Sequence, residues 1–452
     1  MASVIPHTPG TGNNIPLSNY VAGISSLFPS TLRQRLVETS INSKERVDFM
    51  PSNVGVNNTL DDKYLEFRVS GVQGVFLDLA SLTLELSADI TDVHGNKLGN
   101  DATIGLVNGI SNSLFKTANV FINEKLVEST PFYNYVSYIK LLKEVGVNEL
   151  VNIGRCAGLY NDVTSDGSVA NVYRNDDYKV VNSYLANRMT DIKTNGIQTC
   201  FSLMLDLSSL DMYLLDGVDV RIRLEVANTD WLINSADADR NGYKFKINTA
   251  KLWVDRVFPQ YNALAALNDT LNNSNIEYIF NKSLVKSYMI GVNQRSIMIE
   301  QPFNTCIPEK LYMCFIPANN FAGGYTNNPL YFSNSNLENV NISINGSTIY
   351  NIKSDFNRHP TTIYYECLKT LGLDSKHMLT YDSFKNGRTL LCFNFVYEDM
   401  KDAIPVELSA NMRISITFGQ VVTQPYIVLL IGETVGLLTV DRNRIVHCDV
   451  RG

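Results

Sequence analysis

The chain has 452 residues, 45% hydrophobic and 18% charged, with a net charge of −7 and a pI of about 5.4. That is an ordinary globular composition, long enough for two or three domains. The first 58 residues hold four basic side chains (Arg33, Arg35, Lys44, Arg46) against three acidic ones (Glu38, Glu45, Asp48), so no basic tail exists to neutralise phosphates. Specific nucleic-acid binding is therefore not expected, because such affinity rests largely on that neutralisation.

Residues 1–58 read as an N-terminal arm. Pro6, Pro9, Gly10, Gly12 and Pro16 break any period, and only Val21, Ile24, Leu27, Phe28 and Leu32 form a short apolar stripe. The start of the chain lacks the charged-then-apolar pattern of a secretory signal. Regular strands begin near Tyr64, with Leu65-Glu-Phe-Arg-Val alternating cleanly. From Val75 to Asp89 the alternation changes phase at Ser81, which predicts a bend or a bulge. Val120–Val127 reads as a hairpin turning at Asn123-Glu124, followed by a Tyr-rich helical stretch, Tyr135–Gly146. Val147–Asn195, rich in Asn, Asp, Ser and Tyr, reads as a long surface excursion. In Val218–Val226 every second residue is apolar and the others are charged, the mark of a strand with one buried and one wet face. Lys244–Ile247 and Lys251–Val254 close this half.

Val257–Asn275 is the joint, with Pro259 ending a strand, a short helical piece at Tyr261–Leu267 and a linker after it. Further strands are expected at Leu284–Ile290, Ser296–Glu300, Leu311–Ile316, Val340–Ile344, Thr389–Val396, Asn411–Phe418 and Tyr426–Ile431. That last apolar run is far too short to span a bilayer, so no transmembrane segment is expected.

The second half repeats the first. Ile342–Tyr350 is again a hairpin, with Asn345-Gly346 at a turn that needs positive φ. Thr362–Gly372 is again a Tyr-containing helical stretch ending in glycine. Phe201/Leu203/Leu205 then matches Leu391/Phe393/Phe395, and Val218/Val220/Ile222/Leu224 matches Met412/Ile414/Ile416/Phe418. A shared order of hairpin, helix, strand and strand points to a duplicated β domain. With 23 Tyr and 20 Phe against 2 Trp, the aromatic content suits half-buried pleated surfaces.

Chemistry is hard to find. Gly-x-Ser-x-Gly, the P-loop and Gly-x-Gly-x-x-Gly are all missing. The five histidines (His7, His94, His359, His377, His447) never pair at ligand spacing, and His447-Cys448 stands alone. Asp237-Ala-Asp239-Arg-Asn241-Gly242 opens like a calcium loop, but Asn248 stands where a bidentate Glu is required, so an acidic turn is the better reading. Asp61-Asp62 and Asp176-Asp177 read as solvated loop charge. The seven cysteines (Cys156, Cys200, Cys306, Cys314, Cys367, Cys392, Cys448) are scattered and odd in number, which suits synthesis in a reduced intracellular compartment. No catalytic, cofactor-binding or metal-binding residues are assigned, and the chain is not expected to be an enzyme.

The expected fold is all-β: two tandem eight-stranded jelly rolls, a double jelly roll, with short helices and long loops. The division is an arm at 1–58, a first roll at 59–260 with the loop insertion 147–195, and a second roll at 261–452 with a C-terminal tail. Two such rolls without a ligand cluster suit assembly better than catalysis, since a threefold ring of them makes a six-lobed tile.

Particular stretches strengthen this. Ile307–Pro317, Phe321–Phe332, Asn341–Gly346, Tyr381–Gly387 and Thr439–Val446, and more weakly Leu27–Ser30 and Tyr133–Leu142, resemble the major capsid proteins of the Polinton/Maverick and adintovirus group. That group lies in the double-jelly-roll lineage that includes adenovirus hexon. The resemblance implies a homotrimeric, pseudo-hexameric capsomer tiling an icosahedral shell, located in the virion. It implies the chain itself, a penton protein and minor capsid proteins as partners. It also implies outer loops including 147–195, with the arm and Arg442–Gly452 at the base. Two other readings stay open: a glycan-binding or glycan-cleaving double-barrel protein, and a virus-derived assembly scaffold.

Overall fold

The computed structural model describes residues 40–53, 63–98, 104–162, 188, 192, 196–235, 242–353, 356, 360–373, 376–396 and 410–448. In the first half the strands are β1 (Ile41–Phe49), β2 (Tyr64–Val69), β3 (Phe76–Thr91), β4 (Ile104–Leu106), β5 (Phe115–Ile122), β6 (Lys125–Pro131), β7 (Ile197–Ser202), β8 (Val220–Val226), β9 (Ile233–Ser235) and β10 (Lys244–Pro259). The second half has β11 (Ile276–Ile290), β12 (Ser296–Glu300), β13 (Lys310–Pro317), β14 (Leu337–Ile344), β15 (Ser347–Lys353), β16 (Leu390–Asn394), β17 (Met412–Phe418), β18 (Tyr426–Val440) and β19 (Val446–Cys448).

Sheet order repeats strand for strand. The first half forms β1-β10-β3-β7 and β2-β8-β5-β6, and the second forms β11-β18-β13-β16 and β12-β17-β14-β15. Two short strands, β4 and β9, pair separately, and β19 adds to β18. Each half is thus an eight-stranded antiparallel jelly roll of two four-stranded sheets, and the chain is a double jelly roll. The inner faces supply the cores. On β8, Val220, Ile222, Leu224 and Val226 are buried, and on the matching β17, Met412, Ile414, Ile416 and Phe418 are buried.

The phase change in β3 is a bulge. Trp253 of β10 pairs with Thr83 while Asp255 pairs with Asp78, so extra β3 residues bow out between them. Ser81 fills the gap: its hydroxyl donates to the Asp78 carbonyl (2.6 Å) and accepts from the Asp255 N–H (2.8 Å).

Both expected hairpins form. Asn123 and Glu124 adopt φ of 46° and 63°, and Asn345 and Gly346 adopt 50° and 82°. A helix follows each, Tyr133–Glu144 and Thr361–Leu371. The second covers the free edge of β16, which would otherwise expose unpaired backbone. Cys392 N–H donates to Cys367 Sγ (3.3 Å), the Cys367 thiol donates to the Leu390 carbonyl (3.3 Å), and the Thr370 hydroxyl donates to the Cys392 carbonyl (3.3 Å).

Some boundaries differ from those expected. Strand β1 lies inside the segment read as an arm and pairs along β10 from Ile41↔Pro259 to Phe49↔Leu252. Only Ile41, Val47 and Phe49 of its side chains are even half-buried, so no alternation marks it in the sequence. The connecting helix runs Tyr261–Leu271, past the expected Leu267, and β11 begins at Ile276. Strand β18 continues nine residues past Ile431 because Gly432 and Gly436, which interrupt the apolar run, sit under Pro308 and the Phe280 ring. Within the expected insertion, Val147–Glu149 and Leu150–Ala157 are helical, and most of its remainder lies outside the described residues. Among the described residues no helix is long and apolar enough to cross a membrane.

Candidate functional site at the seam between the two barrels

The helix Tyr133–Glu144 packs the first roll onto the second. Tyr133, Tyr135, Val136, Tyr138, Ile139, Leu141 and Leu142 bury it on nearly every side. A helix with this much of its surface buried lies inside the molecule. Here it lies against the second roll. Tyr135 stacks on Phe321 (centroids 5.4 Å, planes 10° apart) and meets Trp231 edge-on at 5.7 Å. Tyr138 meets Phe332 edge-on at 5.9 Å. The helix then presents Lys140 and Lys143 to a polar cleft of about 340 Å³ between the barrels.

Lys140 donates to Asp206 Oδ1 at 2.8 Å and to the Met204 carbonyl at 3.1 Å. Asp206 in turn takes two bonds from the second roll, from Ser283 N–H and from the Ser283 hydroxyl, both 2.7 Å. Behind it, the Glu128 carboxylate accepts the N–H groups of Asp206 (2.9 Å) and Leu207 (3.0 Å). Burial and the neighbouring Asp206 charge push the Glu128 carboxyl up to about 7. Burial alone would lower the Lys140 ammonium, but Asp206 and Glu128 outweigh it and hold it above its usual value. Lys143 pairs with Glu433 and sits 4.1 Å from the Tyr312 ring centre, while the Tyr312 hydroxyl donates to Glu433 at 2.9 Å. Burial would raise Glu433, yet Lys143 and Tyr312 keep it below the ordinary carboxylate value.

Further clamps run along the seam. Leu215 N–H donates to the Tyr278 hydroxyl (2.9 Å). Arg388, 2% exposed, donates to Asn161 Oδ1 (2.7 Å) and to the Tyr160 carbonyl (3.1 Å). Ser235 N–H donates to the Tyr325 carbonyl (2.6 Å). The end of the chain belongs here as well. Asn123 donates to the Arg444 carbonyl (2.6 Å) and Lys125 to the Val446 carbonyl (3.2 Å), so β19 and the turn before it lie on the first roll's hairpin.

These polar partners are far apart in sequence and match no motif, so nothing in the sequence brought them together. The residues weighed for chemistry do not converge. His94, His377 and His447 lie on different elements, and His7 and His359 lie outside the described residues. The acidic pairs Asp61-Asp62 and Asp176-Asp177, and positions 237–241 of the calcium-like loop, also lie outside them. Asn248, its twelfth position, instead donates to Asp89 Oδ2 at 2.8 Å. Among the described residues no group of three or more His, Cys, Asp or Glu is placed to hold a metal ion.

Comparison with known proteins points to the same architecture. No family model matches the chain. An uncharacterized protein of Caenorhabditis elegans is 22% identical over 327 residues, covering 68% of this chain and 73% of the relative. Among solved structures, a chain of the Sputnik virophage superposes with a TM-score of 0.58 at 11% identity, covering 96% of this chain and 95% of that one. The mavirus major capsid protein gives 0.53 at 12% identity, covering 98% and 96%. The Faustovirus major capsid protein gives 0.56 at 9% identity, covering 93% of each. The likeness spans both rolls and the joint between them, so the double-jelly-roll fold is shared along nearly the whole chain.

Proposed function

We propose that the chain is a major capsid protein, built to assemble as a homotrimeric, pseudo-hexameric capsomer that tiles an icosahedral shell. The observation that carries this reading is the repeated strand order, β1-β10-β3-β7 with β2-β8-β5-β6 and β11-β18-β13-β16 with β12-β17-β14-β15, fixed in one body by a charged and aromatic seam. Two like rolls locked together act as two corners of a hexagon, and a threefold axis supplies the other four. The fold is shared with capsid proteins over almost the full length, which supports the same use.

On this reading the chain is structural and carries out no reaction. It is made inside the cell and resides in the virion. Its main partner is itself, first in the trimer and then between neighbouring capsomers, with penton and minor capsid proteins completing the shell. The first roll runs from β1 to residue 260 and the second from 261, with residues before Ile41 as an arm. The excursion at 147–195 belongs to the outer loops. A permanent trimer of this kind buries thousands of Å² between subunits.

Negative-stain microscopy of the expressed, purified protein tests the proposal. Six-lobed particles or closed shells are the expected image. A field of separate two-lobed particles at high protein concentration would overturn it.

A further inference from the structure

The seam carries more acid than base, and the excess is concentrated where the two rolls touch. Glu128 on β6 is 4% exposed and faces Asp206, whose side chain is 2% exposed, and Lys140 is the ammonium group paired there. Thr130 donates to Glu128 Oε1 at 3.3 Å, and the buried Tyr133 phenol lies within its field. Across the cleft, Lys143 is committed to Glu433. Lys310 lines the cleft beside Glu309, while Glu144 stands at the rim. Five carboxyl groups (Glu128, Glu144, Asp206, Glu309, Glu433) therefore meet three ammonium groups (Lys140, Lys143, Lys310). Glu309 Oε1 is buried with no hydrogen-bond partner among the described residues.

We infer that Glu128, Asp206 and Lys140 form a proton-operated latch on the seam, closed while Glu128 carries a proton and loosened when Glu128 and Asp206 are both ionised. With Glu128 neutral, one lysine matches one carboxylate, and Asp206 holds Ser283 of the second roll through two bonds of 2.7 Å. With Glu128 ionised, two buried negative charges share that lysine. Like charges at this depth repel strongly because little water screens them. The strain falls on the turn around Asp206, which is the element that reaches across to Ser283.

The sign follows from where the proton sits. The Glu128 carboxyl is raised from 4.5 to about 7 by burial first and by Asp206 second. The folded protein therefore binds more protons than the unfolded chain between those values, so stability falls as pH rises through that window and is at its lowest above it. The latch is a property of the seam within one chain. A protein that stayed monomeric would contradict the capsomer proposal and still show the latch.

Thermal melting of the full chain between pH 5 and pH 8.5 tests it, with Glu128→Gln, Asp206→Asn and Ser283→Ala beside the parent. Gln keeps the size of Glu128 and one of the two oxygens that accept the Asp206 and Leu207 N–H groups, and removes its charge. The parent's melting temperature should drop by about 1–2 °C from pH 6 to pH 8, and Glu128→Gln should flatten that drop. Ser283→Ala should lower the melting temperature most at pH 6, where the latch is closed. If Glu128→Gln fails to fold, Asp206→Asn still decides, because it removes the repulsion and should also flatten the profile. A parent profile that is level across this window, or variants whose profiles run parallel to it, would overturn the latch.

Discussion

Arg444 and Asp216 close the chain on itself: Arg444 Nη2 lies 2.6 Å from Asp216 Oδ1, and its Nε donates to the Asp216 carbonyl at 2.8 Å. Asp216 Oδ2 also accepts the Gly74 N–H at 2.7 Å, so one carboxylate joins the first roll's loops to the last turn of the second. Its side chain is 7% exposed and that of Arg444 23%. Breaking a fully buried pair by removing one partner costs about 3–5 kcal/mol. Partial exposure of the arginine reduces this, so Arg444→Ala should destabilise by about 2–3 kcal/mol in urea unfolding. Asp216→Ala should cost at least as much, since it also strands the Gly74 N–H.

Gly436 tests the second roll. It faces Phe280 across β11 and β18, and a Cβ there would come within 2.6 Å of the ring. Gly436→Ala should therefore destabilise by about 1–3 kcal/mol through overpacking. Phe280→Leu should relieve that clash, so the double variant should lose less than the two single losses combined in the same unfolding assay.

The Ser81 bulge gives a local prediction. Ser81→Ala removes the acceptor of the Asp255 N–H without changing the fold of either strand. Leaving a part-buried N–H unmade costs about 1–3 kcal/mol. Faster hydrogen exchange at Asp255, read by mass spectrometry, should accompany the loss.

Thiol labelling separates the cysteines by burial. Cys156 and Cys200 are exposed, whereas Cys314, Cys367 and Cys392 are buried. Burial pushes the Cys314 and Cys392 thiols far above their usual value, and the bond to Cys367 adds to this for Cys392. Cys156 and Cys200 should react with a disulfide reagent at native pH, and the three buried thiols only after unfolding. Cys367→Ala should raise exchange at the Cys392 N–H, which would lose its partner at the edge of β16.

Much of the fold was legible because its signals are local. Asn345-Gly346 announces its turn by chemistry, and Val218–Val226 announces its strand by charge alternation. Strand β1 was not legible. An edge strand with only Ile41, Val47 and Phe49 half-buried buries too little to impose a period, and only pairing with β10 makes Ile41–Phe49 a strand. Strand β18 looks short in sequence because Gly432 and Gly436 resemble breaks, whereas in the fold they make room for Pro308 and Phe280. The seam was hidden more deeply. Glu128, Lys140, Asp206, Ser283 and Glu433 each look like ordinary surface residues in sequence, and only the packing of one roll on the other brings their charges together.

The mass of the purified chain in solution, measured by size-exclusion chromatography with light scattering at high concentration, tests the capsomer most directly. A homotrimer predicts a species of three 50.6 kDa chains, with or without larger assemblies. A single species at the mass of one chain, unchanged as concentration rises, would contradict it.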